Sequence, residues 1–152
     1  MAEKVLVLTC ASITVIEKVM AKISSSAEVT CLVQETARQK ICDQFKNVKV
    51  ISLGESFFSY EAFRKNVKLA DKFDTVYVPS SSVGFHGFEE VFKITDELDC
   101  NKLILINCKE EETIEYRNTV GKWKEAVYSL FAGSYLSIIT IWYKYIGQKI
   151  KI

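Results

Sequence analysis

Lys4-Val5-Leu6-Val7-Leu8-Thr9 runs directly into Cys10-Ala11-Ser12-Ile13-Thr14, and an amphipathic stretch follows. The first six residues read as a short apolar strand buried from both sides. The next residues make a small polar loop. Beyond it Ile13, Val15, Ile16, Val19, Met20 and Ile23 recur at helical spacing over 13–24. A buried strand that delivers a polar loop onto a helix N-terminus is how open α/β sheets build an anion-binding crevice. Such loops usually carry glycines, and Cys10–Thr14 has none.

The same alternation repeats along the chain. Strands are expected at 28–33, 48–52, 74–78 and 102–107, with helices at 35–45, 61–70 and 87–98. Ala37, Ile41, Cys42 and Phe45 share a stripe on the second helix, and Pro79 stops the fourth strand while holding Val78 extended. Five β-rich runs separated by helix-length segments predict an α/β fold with a mostly parallel five-stranded sheet covered on both faces. Right-handed crossovers make it doubly wound, with strand order 3-2-1-4-5. At 152 residues, 1–152 reads as one Rossmann-like domain.

Composition narrows the partners. Apolar residues are 49% of the chain and charged ones 26%, which is the profile of a folded protein. A net charge of +1 supplies no general field toward nucleic acid, and no basic-aromatic pattern predicts binding to it. Cys10, Cys31, Cys42, Cys100 and Cys108 leave an odd thiol under any pairing and form no metal-binding spacing. Reduced thiols in a cytoplasmic protein are the expectation, and Met1-Ala2-Glu3-Lys4 lacks the build of a signal peptide.

After residue 112 the texture changes. The stretch to about 125 is mixed and helix-like, and Ala126 through Tyr143 contains no charged residue. Eighteen such residues reach spanning length, but Ser129, Gly133, Ser134, Ser137 and Thr140 dilute the run. Residues 113–152 are expected to form a helical extension packed on the sheet or on a partner, which predicts a homo-oligomer or a second subunit. Peripheral membrane contact through 126–146 is the alternative, because Trp142, Tyr143 and Tyr145 stand beside Lys144, Lys149 and Lys151.

In this fold ligands lie beyond the carboxyl ends of the strands where their order reverses, between strands one and four. The expected crevice is therefore lined by Cys10–Thr14 and by Pro79-Ser80-Ser81-Ser82-Val83-Gly84-Phe85-His86-Gly87. Ser12 or Thr14 can cap the first helix and, with open N–H groups, hold a phosphate or carboxylate. Ser80, Ser81, Ser82, Gly84 and Gly87 form a donor-dense turn suited to a phosphate nest. His86 is placed to act as a base, and Cys10 as a nucleophile at a helix N-terminus. Phe85 and Phe88 either pin this loop to the core or offer a stacking face. Glu35 closes the second strand, where a ribose-binding acid can stand, but its ordinary role is an early helix carboxylate. Glycine triad and Walker loop are both missing, so no dinucleotide or other cofactor is expected. Glu110-Glu111-Glu112 reads as a solvated helix start, and no metal site is expected.

Two resemblances follow from these residues. The Cys10 loop resembles the cysteine phosphate loops of small tyrosine phosphatases and of sugar-uptake phosphotransfer subunits. Their phosphate-clamping Arg, six positions after the Cys, is here Ile16. The βα pattern over 4–108, with its strand-end polar loops and Pro79–Gly87, resembles the N-terminal half of GT-B-type glycosyltransferases. That resemblance implies an acceptor facing Ser12, Ser82 and His86, with the sugar nucleotide brought by a second domain. The expected ligand is a phosphorylated or nucleotide-like small molecule. A non-catalytic subunit that oligomerises through its tail, and a small hydrolase or phosphotransfer protein, are the competing readings.

Overall fold

A computed structural model describes residues 2–69 and 71–117. The apolar tail and its expected helical packing, oligomer contact or membrane contact lie outside the described residues beyond 117.

The described elements are β1 (Lys4–Leu8), α1 (Ile13–Lys22), β2 (Glu28–Val33), α2 (Glu35–Gln44), β3 (Lys49–Ser52), α3 (Tyr60–Asn66), β4 (Phe73–Pro79), α4 (Glu89–Glu97), β5 (Cys100–Ile106) and β6 (Glu112–Tyr116). They build one sheet of order β3-β2-β1-β4-β5-β6. The first five strands are parallel neighbours in the expected 3-2-1-4-5 order. β1 is central, with Leu6 registered against Thr30 on one side and Val76 on the other.

Alternation along β1 explains its unbroken apolar sequence. Val5 and Val7 pack with Ile16 and Val19 of α1 and Ile41 of α2. Leu6 and Leu8 belong to the opposite core with Phe63 of α3 and Val91 and Ile94 of α4. Helices cover both faces, so every position in the strand needs an apolar side chain. Each buried Val or Leu contributes roughly 1.5–3 kcal/mol of apolar transfer.

Helix bounds shift where local chemistry intervenes. α3 starts at Tyr60 because the Ser59 hydroxyl caps it, accepting from the Ala62 N–H at 3.3 Å. α4 cannot start at Gly87, whose φ of +80° is left-handed, and it begins at Glu89. Pro79 is the last residue of β4 rather than the residue after it, and Ser80 N–H carries the ladder on to the Ile106 carbonyl at 2.8 Å.

The sheet has a sixth strand, which corrects the expected five. Residues 112–116 were expected to be helix-like, and they form β6, antiparallel to β5, with Ile114 opposite Ile104. The physical cause is Asn107. Its side-chain oxygen accepts the N–H groups of Lys109 and Glu111 at 2.9 and 3.0 Å, which turns the chain back on itself. Glu110 takes a left-handed φ of 66° in that turn. The three glutamates then diverge: Glu110 pairs with Lys18 at 2.7 Å, Glu111 accepts from Asn107 at 2.7 Å, and Glu112 pairs with Lys22 at 2.6 Å. They open a turn and an edge strand, not a helix.

Candidate functional site

Strand order reverses between β1 and β4, and their following loops do meet. The Ser12 N–H donates to the Ser81 hydroxyl at 2.6 Å, and the Cys10 thiol donates to the Pro79 carbonyl at 3.1 Å. Residues about seventy positions apart in sequence are thus joined beyond the carboxyl ends of the central strands.

On the β1 side, Thr9 anchors the loop to β2. Its N–H and its hydroxyl both donate to the Leu32 carbonyl, at 2.9 and 3.1 Å. Ser12 stands at the N-cap of α1 in extended conformation, but its side chain does not cap. Its carbonyl accepts from Val15 and Ile16, while its N–H faces Ser81. Thr14 is exposed in the first turn of α1.

On the β4 side the serines divide their work. Ser80 is buried; its hydroxyl donates to the Gly84 carbonyl at 2.9 Å and accepts the Ser82 N–H at 3.1 Å. The Ser82 carbonyl accepts from Cys108 N–H, and the Val83 carbonyl accepts from the Asn107 amide at 3.1 Å. Phe85, Phe88 and Phe92 form a ring cluster, with Phe85 edge-on to Phe88 at 5.4 Å, and pack against the core. They pin the loop. His86 is exposed, and a Cβ at Gly84 would lie 3.3 Å from its imidazole, so glycine there leaves room for the ring.

Cys10 has the surroundings of a retained proton. Its residue is only partly buried, but its sulfur faces the carbonyls of Pro79 and Leu8, and burial pushes the thiol up to about 12. A nucleophilic thiolate needs the opposite environment. Buried Cys31 is likewise pushed up to about 12, by burial first and by neighbouring Cys42 second. Both thiols start from an ordinary value of 9.0, so above that pH the unfolded chain loses protons that the folded chain keeps. Stability is therefore expected to fall as pH rises from 9.0 toward about 12, read as a lower urea midpoint. In alkylation at neutral pH, exposed Cys42 is expected to label well before Cys10 and Cys31.

Glu35 does not join the crevice. It sits in the first turn of α2, where its carboxylate accepts from the Ser52 hydroxyl and pairs with Arg38 at 3.5 Å. The Ser52 hydrogen bond, then Arg38, holds its carboxyl below the usual range.

The site thus gathers Cys10, Ser12, Ser80, Ser81 and Ser82. No hydrogen bond joins Thr14, His86 or Gly87 to the opposite loop among the described residues. Asn107, which ties the β4 loop to the β5–β6 turn, was missed from sequence. Its signal is an Asn directly after an apolar strand and four residues before a Glu. Also missed was a cleft of about 180 Å³ on the other side of β1, between the loops after β1 and β2. Among the described residues no group of three His, Cys, Asp or Glu side chains is gathered for a metal, and no helix is long and apolar enough to cross a membrane.

No protein-family model, curated protein or solved structure matches the chain.

Proposed function

We propose that this Rossmann-like domain binds a small phosphorylated or nucleotide-like ligand in the crevice between β1 and β4. The observation that carries the reading is the 2.6 Å bond from Ser12 N–H to the Ser81 hydroxyl. A neutral hydroxyl oxygen stands at the mouth of α1, where the helix dipole and open N–H groups favour an anionic one. A phosphate oxygen entering there replaces Ser81 as acceptor, and the freed hydroxyl can turn to donate to it.

A thermal-shift screen tests this with inorganic phosphate, ATP and UDP-glucose. At ten times Kd a ligand adds about 1.4 kcal/mol, a shift of several degrees. Ser81→Ala and the pair Ser82→Ala/His86→Ala are expected to lose most of that shift. No shift with any of the three at about 10 mM contradicts the reading. A part in glycosyl transfer is its most specific form, with Ser12, Ser82 and His86 facing an acceptor and a second polypeptide bringing the sugar nucleotide. UDP-glucose exceeding ATP and phosphate in the screen supports that form; equal shifts remove it.

One observation favours a second reading, a non-catalytic subunit that assembles with another copy. On β6, Ile114 is 42% and Tyr116 73% exposed, and both share the sheet face of Ile104. Ile114→Lys/Tyr116→Lys is then expected to shift sedimentation from dimer to monomer. A wild type that stays monomeric at about 100 μM ends this reading.

A further inference from the structure

The cleft of about 180 Å³ opens at the carboxyl ends of β1 and β2, and neither Ser12 nor Ser81 lines it. Ala11, Ile13, Ile16, Ala37 and Ile41 give it apolar walls. Two alanines keep it open. The α1–α2 pair that forms it is tied by a hydrogen bond from Gln44 to Glu17.

Three polar residues complete the lining: Thr9, Gln34 and Lys40. The Thr9 hydroxyl is committed to Leu32. Gln34 stands at the N-cap of α2 without capping it. Neither its amide nor the Lys40 ammonium has a hydrogen-bond or ion-pair partner among the described residues. Among the described residues no carboxylate lines the cleft, and Glu35 next to Gln34 is engaged with Ser52 and Arg38. The cavity thus combines apolar walls, one uncompensated cation and one free amide, the lining expected of a small-molecule site.

We propose that the cleft binds a small organic anion: a compact apolar body, one ring in size, bearing a single carboxylate or phosphate. The body lies between Ile16, Ala37 and Ile41, and the acid group meets Lys40 and Gln34. Size sets the class. At about 180 Å³ the cleft falls below the roughly 300 Å³ of a site for a drug-sized ligand. This inference stands apart from the crevice reading, since it uses neither Ser12 nor Ser81.

Amide NMR titration of the full chain with benzoate and with phenyl phosphate tests it, with phenol and inorganic phosphate as controls. Saturable shifts are expected at Gln34, Ala37 and Ile41, on the α2 side of the cleft and remote in sequence from Ser12, for at least one of the two acids. Phenol and inorganic phosphate, each lacking one half of the ligand, are expected to bind about tenfold more weakly or worse. Lys40→Gln, at an exposed position, should weaken binding about tenfold. Ala37→Leu should abolish it by filling the cleft. Ser81→Ala should leave it unchanged. The inference is overturned by no shift from either acid at about 10 mM, or by shifts that survive Lys40→Gln. It is equally overturned if the shifts vanish in Ser81→Ala, which would assign the binding to the crevice.

Discussion

Leu8→Ala is expected to lower the unfolding free energy by about 3 kcal/mol, within the roughly 2–5 kcal/mol range for deleting a buried leucine. Leu8 ends β1, is fully buried, and lies in the core shared with Leu32, Val76 and Val78. It is flanked by parallel strands, and the helices of both cores close over the sheet. The surroundings therefore have little freedom to collapse into the space left behind. The Leu8 carbonyl also accepts the Cys10 N–H at 2.9 Å, so the loss occurs directly beneath the crevice. Urea denaturation should show a lower midpoint with an unchanged slope, and Tm should fall on the order of 10 °C. Leu8→Met, which conserves volume, should cost less than about 1.5 kcal/mol. An alanine penalty below about 1 kcal/mol would mean that β1 does not occupy the packed centre of the sheet.

Asn107→Ala should cost about 2–3 kcal/mol, a large effect for one polar side chain. Asn107 is buried and makes four side-chain hydrogen bonds: to Val83 and Glu111 as donor, and from Lys109 and Glu111 as acceptor. Alanine leaves those partners unmet in a part-buried turn, and it unties the β4 loop from the β5–β6 hairpin. Proteolysis is then expected to open the chain within 80–87 and 108–111 before global unfolding. Asn107→Asp separates the two roles. It keeps the acceptors but loses the bond to Val83 and sets a second carboxylate against Glu111. That like-charge contact raises the new group's pKa in the fold. Its penalty should be full at neutral pH and shrink as pH falls through the carboxylate range. An Asp variant as stable as wild type at neutral pH would show that the Val83 link carries nothing.

Much of this fold was legible because both faces of the sheet are covered. Runs such as Val5–Leu8 and Leu103–Ile106 must then be apolar at every position, and β2 fell on the predicted 28–33. The strand order did the rest, since it sets the loops carrying Ser12 and Ser81 side by side. β6 was hidden for a physical reason. All five of its residues are exposed, and Ile114 with Tyr116 alone gives too short an alternation to mark a strand against the polar neighbours, so only the Asn107 turn places it. Partner choice was hidden too. Three adjacent serines look alike in sequence, yet Ser80 braces its own loop, Ser81 crosses to α1 and the Ser82 carbonyl holds Cys108. Nothing in the sequence brought Gln34 and Lys40 together, because an open cleft depends on small neighbours such as Ala11 and Ala37.

Ligand binding between β1 and β4 is tested most directly by amide NMR with inorganic phosphate and ATP. Saturable shifts of the Ser12, Ile13 and Ser81 amides are predicted, with the Ser12 signal moving furthest as its acceptor changes from hydroxyl to phosphate. Ser81→Ala should start with the Ser12 signal already displaced and gain little further shift from either ligand. Amides of Ser12 and Ser81 that stay fixed through about 10 mM of both ligands would contradict the account, and would leave the junction as a purely structural latch between two loops.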